Sequence, residues 1–588
     1  MKINQFNKIV RMKNIFVISV FTCVFALSAM AQDLDPTVEV SREYEGKLVE
    51  VHKPVIDMAV PDSVTRFALD FDYSVFDNPY KGSYEFSPYL LSMKPSASDS
   101  GESRFYLRAG AGYQLYPTLD MVWSPKFRNK GFNLDVYALH RSFFGRYWTI
   151  APQEKSPGVV AMTRLPKDSE VSRHWAGYDM LTKAGAVFRH DWEKFSLDYS
   201  AGYYGLAQKD SRWVRGYNAL DASLGFKTKP EDLHSLIVDA RLDFRHGQDV
   251  VSDSLMRENI AGLHLTIGPF LIGNSRMSLD VDADVASYTG ELEQIAGDVA
   301  VVPRYVYRNS RFTADLGVRF AKMLTGENIP EQYVYPDINV SYVLIPNSMK
   351  LYLIATGGGQ FETYSSLIAS DHHVVRRMLP DLMGYEVERV ALTAGFDGRI
   401  TDVFSYNLRG GYANYASRRH YVMEVTSVPS FSVGYFGTQK WFAALDWAFD
   451  VEGFRFDGSV SYDRFWNDSG LYSGAGIGNA AVLRPAELSG NVAFEYNWKQ
   501  RLVFGAGCDF SGASRGGYGV AEVGTDLVRI CTVEIPGYAD LGVYAEYVTA
   551  RNLSLWVRAG NLLNQTVQRT PLYAEKGVNF TLGICMNL

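Results

Sequence analysis

From residue 103 to the C-terminus, apolar and polar residues alternate in runs of about ten, the period-two pattern of strands with one greasy and one wet face. After Asn274, Met277, Leu279, Val281, Ala283 and Val285 fall on one face and Ser278, Asp280, Asp282 and Asp284 on the other. Leu236, Val238, Ala240, Leu242 and Phe244 alternate in the same way with Ile237, Asp239, Arg241, Asp243 and Arg245. The chain ends on Val578, Phe580, Leu582, Ile584, Met586 and Leu588 interleaved with Asn579, Thr581, Gly583, Cys585 and Asn587. These runs predict an all-β chain.

A soluble sandwich also alternates, so three further features select a transmembrane antiparallel β-barrel. Tight connections at 398–402, 451–453 and 498–501 are interspersed with long ones at 148–174, 365–383, 467–483 and 511–535, the asymmetry of short periplasmic turns and long surface loops. Aromatics crowd the run ends (Trp441, Trp447, Phe465, Trp466, Trp498, Tyr544, Tyr547, Trp556), where interfacial rings are expected. The wet faces carry rows of formal charge, which a watery lumen tolerates. Counting runs bounded by turns gives about 22 strands, from near Ser103, Thr118, Gly131 and His174 to Tyr538, Asn552 and Gly577, with both chain ends in the periplasm.

The first 31 residues read as a secretory signal: Lys2, Lys8, Arg11 and Lys13, then an apolar run from Ile15 to Met30, then Ala29-Met30-Ala31 as cleavage site. Residues 32–102 differ from both flanks. Pro36, Pro54, Pro61, Pro79, Pro88 and Pro95, mixed charge and a Ser-rich exit predict an N-terminal arm, periplasmic or entering the lumen, before the barrel at 103–588. Cys23 leaves with the signal; Cys508, Cys531 and Cys585 remain, so at least one thiol is free.

Composition narrows the function. With 58 Lys and Arg against 65 Asp and Glu, the net charge of −7 gives no electrostatic drive toward nucleic acid. No spacing of Ser, His and Asp singles out a nucleophile, so no enzyme and no cofactor is expected. His372 and His373, with Asp371 and Glu386, have the residue types of a metal site, but adjacent histidines on an extended chain point apart. Gly474, Gly476 and Gly478 lack the strand-to-helix context of a phosphate loop. The row Asp280, Asp282, Asp284 is assigned to the lumen wall, paired with arginines of neighbouring strands.

A resemblance enters at the end of the chain. Pro536 to Leu541, the stretch Thr549 to Leu555, the run Asn561-Leu562-Leu563-Asn564, similar to an N-L-F-N element, and a glycine-led last strand from Gly577 resemble the closing strands of TonB-dependent receptors, in a form like those of Bacteroidota. Tyr385 to Ile400, preceded by Leu379, Pro380 and Asp381, resembles a hairpin of that family. The resemblance implies a Gram-negative outer-membrane barrel that transports a solute. The implied partners are membrane lipids, the barrel-assembly machinery acting on the C-terminal strand, and TonB or a surface lipoprotein. Thr37, Val38, Glu39 and Val40 are the candidate TonB-contact strand. One departure stands out: the family carries a folded plug larger than the 32–102 arm. A plugless lumen needs another occupant: inward-folded loops, the arm itself or a partner. The competing reading is a non-transporting scaffold barrel in an envelope complex.

Overall fold

The computed structural model describes residues 104–588 except 114–115, 128–130, 230–235, 273–274, 292, 325–332, 380–383, 427, 468–479 and 522–527. The signal 1–31, the arm 32–102 with Thr37, Val38, Glu39 and Val40, and Gly474, Gly476 and Gly478 lie outside the described residues.

Twenty-two antiparallel strands, each paired with its neighbours along the chain, form one sheet that closes on itself. The seam joins the first strand, Phe105–Gly112, to the last, Asn579–Asn587, in register from Tyr106↔Asn587 to Gly112↔Thr581. Closure leaves no sheet edge, so apart from local bulges the backbone of the wall is paired within the sheet, which is what lets a barrel sit in hydrocarbon. Among the described residues no helix is long and apolar enough to cross a membrane.

The alternation read in the sequence is the alternation of the wall. Leu220 is 61% exposed beside Ala219 at 2%, Ile295 is 62% exposed beside Ala296 at 1%, and Leu582 is 60% exposed beside Thr581 at 3%. Large apolar side chains left open in every second position all round the wall form a lipid-facing surface, since water would penalise so much apolar area.

One end of the barrel has short turns (309–311, 401–403, 452–453, 551–552) and the other long connections (149–173, 363–383, 468–487, 512–537, 561–578). The turn Trp498 to Arg501 places both Lys499 (φ 52°) and Gln500 (φ 56°) in the left-handed region. The Arg501 N–H closes this tight turn on the Trp498 carbonyl at 3.1 Å, and its two central residues take positive φ without glycine. About ten tilted residues cross the apolar band, so the hairpin of Phe404–Glu424 and Ser430–Val451 rises well past it at the long-loop end.

Part of the aromatic assignment is corrected. Trp441, Trp466, Trp498 and Tyr547 are exposed on the outer face, but Phe465 (8% exposed), Tyr544 (5%) and Trp556 (6%) are buried on the inner side. Trp556 faces inward because Gly110 and Gly583 leave a groove in the seam. A Cβ at Gly110 would stand 2.4 Å from the indole and one at Gly583 2.7 Å from it. The ring lies flat in that groove, its Nε1 donating to the Ile584 carbonyl at 3.1 Å.

Candidate functional site

The lumen wall is lined with paired charge. Asp280, Asp282 and Asp284 stand on the inner face, as their alternation requires. Arg304 bonds Asp280 (2.9 Å), Asp315 (3.2 Å) and Asp337 (2.9 Å) from three neighbouring strands. Asp282 takes His264 Nδ1 at 3.0 Å and Arg319 at 3.5 Å. Asp284 lies directly across from Asp298 in the register. The opposite-charge pairs hold neighbouring strands in register, whereas Asp284 facing Asp298 is a like-charge pair that opposes this.

At the long-loop end the lumen is filled by two inward-folded connections. The first carries a short helix, α1 (Tyr364–Ser370), started by Thr363, whose hydroxyl accepts the Ser366 N–H. Tyr364 reaches the wall and is fully buried; its Oη donates to Asp249 (2.7 Å) and accepts from Arg215 (2.8 Å), and its N–H donates to the Tyr288 hydroxyl (2.9 Å). Arg215 also bonds Asp249 at 3.0 Å and donates to the carbonyls of His372 (3.0 Å) and Val374 (2.8 Å). Past the helix, Arg376 returns to Asp249 at 3.2 Å and to Glu291 at 2.6 Å. Glu258 accepts from Tyr217 (3.0 Å), Tyr288 (2.7 Å) and the N–H of Ser365 (3.2 Å).

The wall thus offers two buried carboxylates, Asp249 and Glu258, whose partners come in part from the wall itself (Arg215, Tyr217, Tyr288) and in part from the connection (Tyr364, Arg376 and the Ser365 N–H). Burying a carboxylate is costly unless it is paired or fully hydrogen-bonded; Asp249 is paired with Arg215 and Arg376, and Glu258 accepts three hydrogen bonds. The loop is therefore specified to one seat rather than loosely collapsed. Phenol ionisation at Tyr364 is pushed well above its usual range, chiefly by burial and further by Asp249, so Tyr364 remains a donor.

The second connection, 561–578, enters beside the first. Arg569 bonds Asp509 (3.2 Å), Asp540 (3.4 Å) and Glu575 (2.5 Å). Gln568 donates to the Met162 carbonyl at 2.8 Å, Thr570 to Asp371 at 2.9 Å, and Tyr573 to Asp210. Tyr573 stacks on His373 at 3.9 Å between centroids, so the two connections touch ring to ring. Val374, Val375 and Met378 pack with Phe431 and Val433, joined by Leu572 and Tyr573, under the hydrophobic effect. Above them a second sheet of Ile150–Ser156, Val159–Arg164, Ser514–Ala521 and Val528–Ile535 is tied by Glu534 to Lys155 (2.6 Å) and Arg515 (2.9 Å).

His373 gives this junction a pH dependence. Its surroundings, Tyr573 on one face and Gln208 at 2.5 Å on Nδ1, hold its pKa below the usual histidine value; burial dominates over the opposing pull of Asp371, Asp179 and Asp210. A released loop would titrate near 6.5. The seat contributed by neutral His373 is complete above that pH. It weakens as pH falls through 6.5 toward the lower seated value, because only the released form takes up the proton. Amide protection factors across 364–378, taken relative to the intrinsic exchange rate at each pH, should therefore fall between pH 7 and pH 5 in wild type, and His373→Gln should flatten that dependence.

Several candidate residues fall elsewhere. His372 faces Asp179 at 3.7 Å and its neighbour turns to Tyr573, so the pair splits; among the described residues no group of three or more His, Cys, Asp or Glu is placed to hold a metal. Cys508, Cys531 and Cys585 are all free thiols. Although no nucleophile elbow is expected from the sequence, Gly512-Ala513-Ser514-Arg515-Gly516 has the G-x-S-x-G spacing of one. Ser514 opens a strand, not a strand-to-helix turn, and its hydroxyl donates to the Arg484 carbonyl, so the pentapeptide is structural. Arg215, Asp249, Glu258, Arg376 and Arg569 were not singled out from sequence. Their only advance signal was the apolar Val374, Val375 and Met378 within a connection, a sign that it is covered.

No protein-family model and no curated protein matches the sequence. Solved structures do. The chain is similar to the FrpB iron transporter from Neisseria meningitidis, with 11% identity, a TM-score of 0.58, and 83% of this chain and 82% of that one covered. It is similar to the copper transporter OprC, with 12% identity, a TM-score of 0.56, and 83% of each chain covered. It is also similar to the siderophore receptor PiuA from Acinetobacter baumannii, with 9% identity, a TM-score of 0.57, and 83% and 82% covered. At such identities the likeness is one of fold: this chain is a closed 22-stranded transmembrane barrel of the architecture those transporters and that receptor share.

Proposed function

We propose that the chain is a TonB-dependent-receptor-type barrel of a Gram-negative outer membrane, Bacteroidota-like, which passes a solute and carries inward loops in place of a full plug. The long-loop end is taken as the cell surface and the short-turn end as the periplasm. The observation that carries this reading is the seat of α1. A hydrated, charge-lined lumen is closed at its surface end by segments held through ion pairs and hydrogen bonds rather than by covalent continuity with the wall. Ion-paired seats exchange partners on a cue, as a gate requires, and between openings the same network specifies one closed arrangement. Cleavage of residues 1–31, the TonB contact at Thr37 to Val40 and a neighbouring surface lipoprotein belong to the same proposal.

Gentle purification from the native membrane, followed by reconstitution into liposomes, tests it. Solute entry into the liposomes that rises when the native surface partner or cargo is added supports transport. A stoichiometric partner set with impermeable liposomes under every addition would establish the scaffold instead.

A further inference from the structure

Between the two inward connections and the wall lies a cavity of about 190 Å³. Its size is decisive for what it can hold, since a cavity of roughly 150 Å³ takes a benzene ring. One wall is apolar and buried: Phe143, Tyr147 and Leu181 are 4%, 8% and 8% exposed. The charges on the opposite side are unevenly satisfied. Asp179 faces His372, Asp371 accepts from Thr570, and Asp540 and Glu575 are both held by Arg569. Every one of these lining carboxylates is engaged.

The cations are not matched in the same way. Lys576 Nζ sits 3.4 Å from the centroid of Tyr116 and 5.1 Å from that of Phe143, and among the described residues no carboxylate forms an ion pair with it. Arg141 lies on the same side, with Asp120 at 2.9 Å. Lys576, followed by Arg558 and Arg141, holds the Tyr116 phenol below its usual range, which locates a concentration of positive charge there. An ammonium over aromatic rings with no carboxylate partner, opening on an apolar cleft, is a receptor for an anion with an apolar body.

We propose that this cavity binds a small organic carboxylate, its headgroup on Lys576 with Arg141 beside it and its apolar or aromatic body against Phe143, Tyr147 and Leu181. The binding claim stands apart from transport: it holds whether the ligand is cargo or a resident.

Isothermal titration of the mature protein in detergent with 3-phenylpropionate, about eleven non-hydrogen atoms and thus sized for the cavity, tests the proposal. Saturable one-to-one binding is expected, with 3-phenylpropanamide, which has the same shape but no charge, at least tenfold weaker. Lys576→Met should weaken the carboxylate at least tenfold and Lys576→Arg by threefold or less, each variant keeping the heat-sensitive gel mobility of an intact barrel. Absence of saturable binding, equal affinity for the amide, or an unchanged Lys576→Met titration would overturn it.

Discussion

Asp249→Ala releases α1 from the wall while leaving the barrel closed. Asp249 is fully buried and accepts from Arg215, Arg376 and Tyr364, so its removal leaves Arg215, 1% exposed, without its carboxylate and leaves Arg376, also 1% exposed, with Glu291 alone. Breaking one partner of a buried ion pair costs about 3–5 kcal/mol, which raises the population of the released loop by two to three orders of magnitude or more. In hydrogen exchange, the amides of 364–378 should lose most of their protection, and those of neighbouring wall strands such as Ile237–Val251 should keep theirs. Asp249→Asn, which retains the acceptor oxygen, should fall between. Simultaneous loss of protection throughout the wall would mean that the network holds the barrel rather than the loop.

Leu353→Arg should destabilise the folded protein by about 2–4 kcal/mol, the cost of a cation facing lipid near mid-membrane. Leu353 is 49% exposed and lies four residues beyond the turn-end residue Met349 in the strand Met349–Glu362, which places it within the apolar band. Its neighbour Tyr352 is only 8% exposed and hydrogen-bonds Asn407 at 2.9 Å on the inner side. Tyr352→Phe removes a single neutral hydrogen bond and should cost about 1 kcal/mol. Denaturant titration in lipid vesicles reads both. A cheaper Leu353→Arg than Tyr352→Phe would reverse inside and outside.

The wall was legible because its physics is local. Each strand announces itself by period two, and the runs expected from Thr118, His174 and Tyr538 start on those residues. Long connections stood out by the interruption of that period. What the sequence did not disclose depends on contacts distant along the chain. Arg215 and Asp249 read as two more charges in wet-face rows, indistinguishable from Arg245 or Asp239, and only the inward return of 363–379 makes them a seat. The connection 561–578 carried the motif Asn561 to Asn564, which drew notice to the strand end and away from Arg569 and Tyr573 further in. Tyr544 and Trp556 were expected at the lipid interface because aromatics prefer it. Nothing within a few residues of Trp556 shows that Gly110, more than four hundred positions earlier, leaves room for its ring across the seam.

The central claim is that loops, seated by buried charge, close the lumen at its long-loop end. Ion conductance across planar bilayers holding the purified mature protein tests it most directly, wild type against Asp249→Ala. The account predicts a nearly silent wild type and a variant with discrete openings. A variant as silent as wild type, or a wild type already conducting at the variant's level, would contradict it.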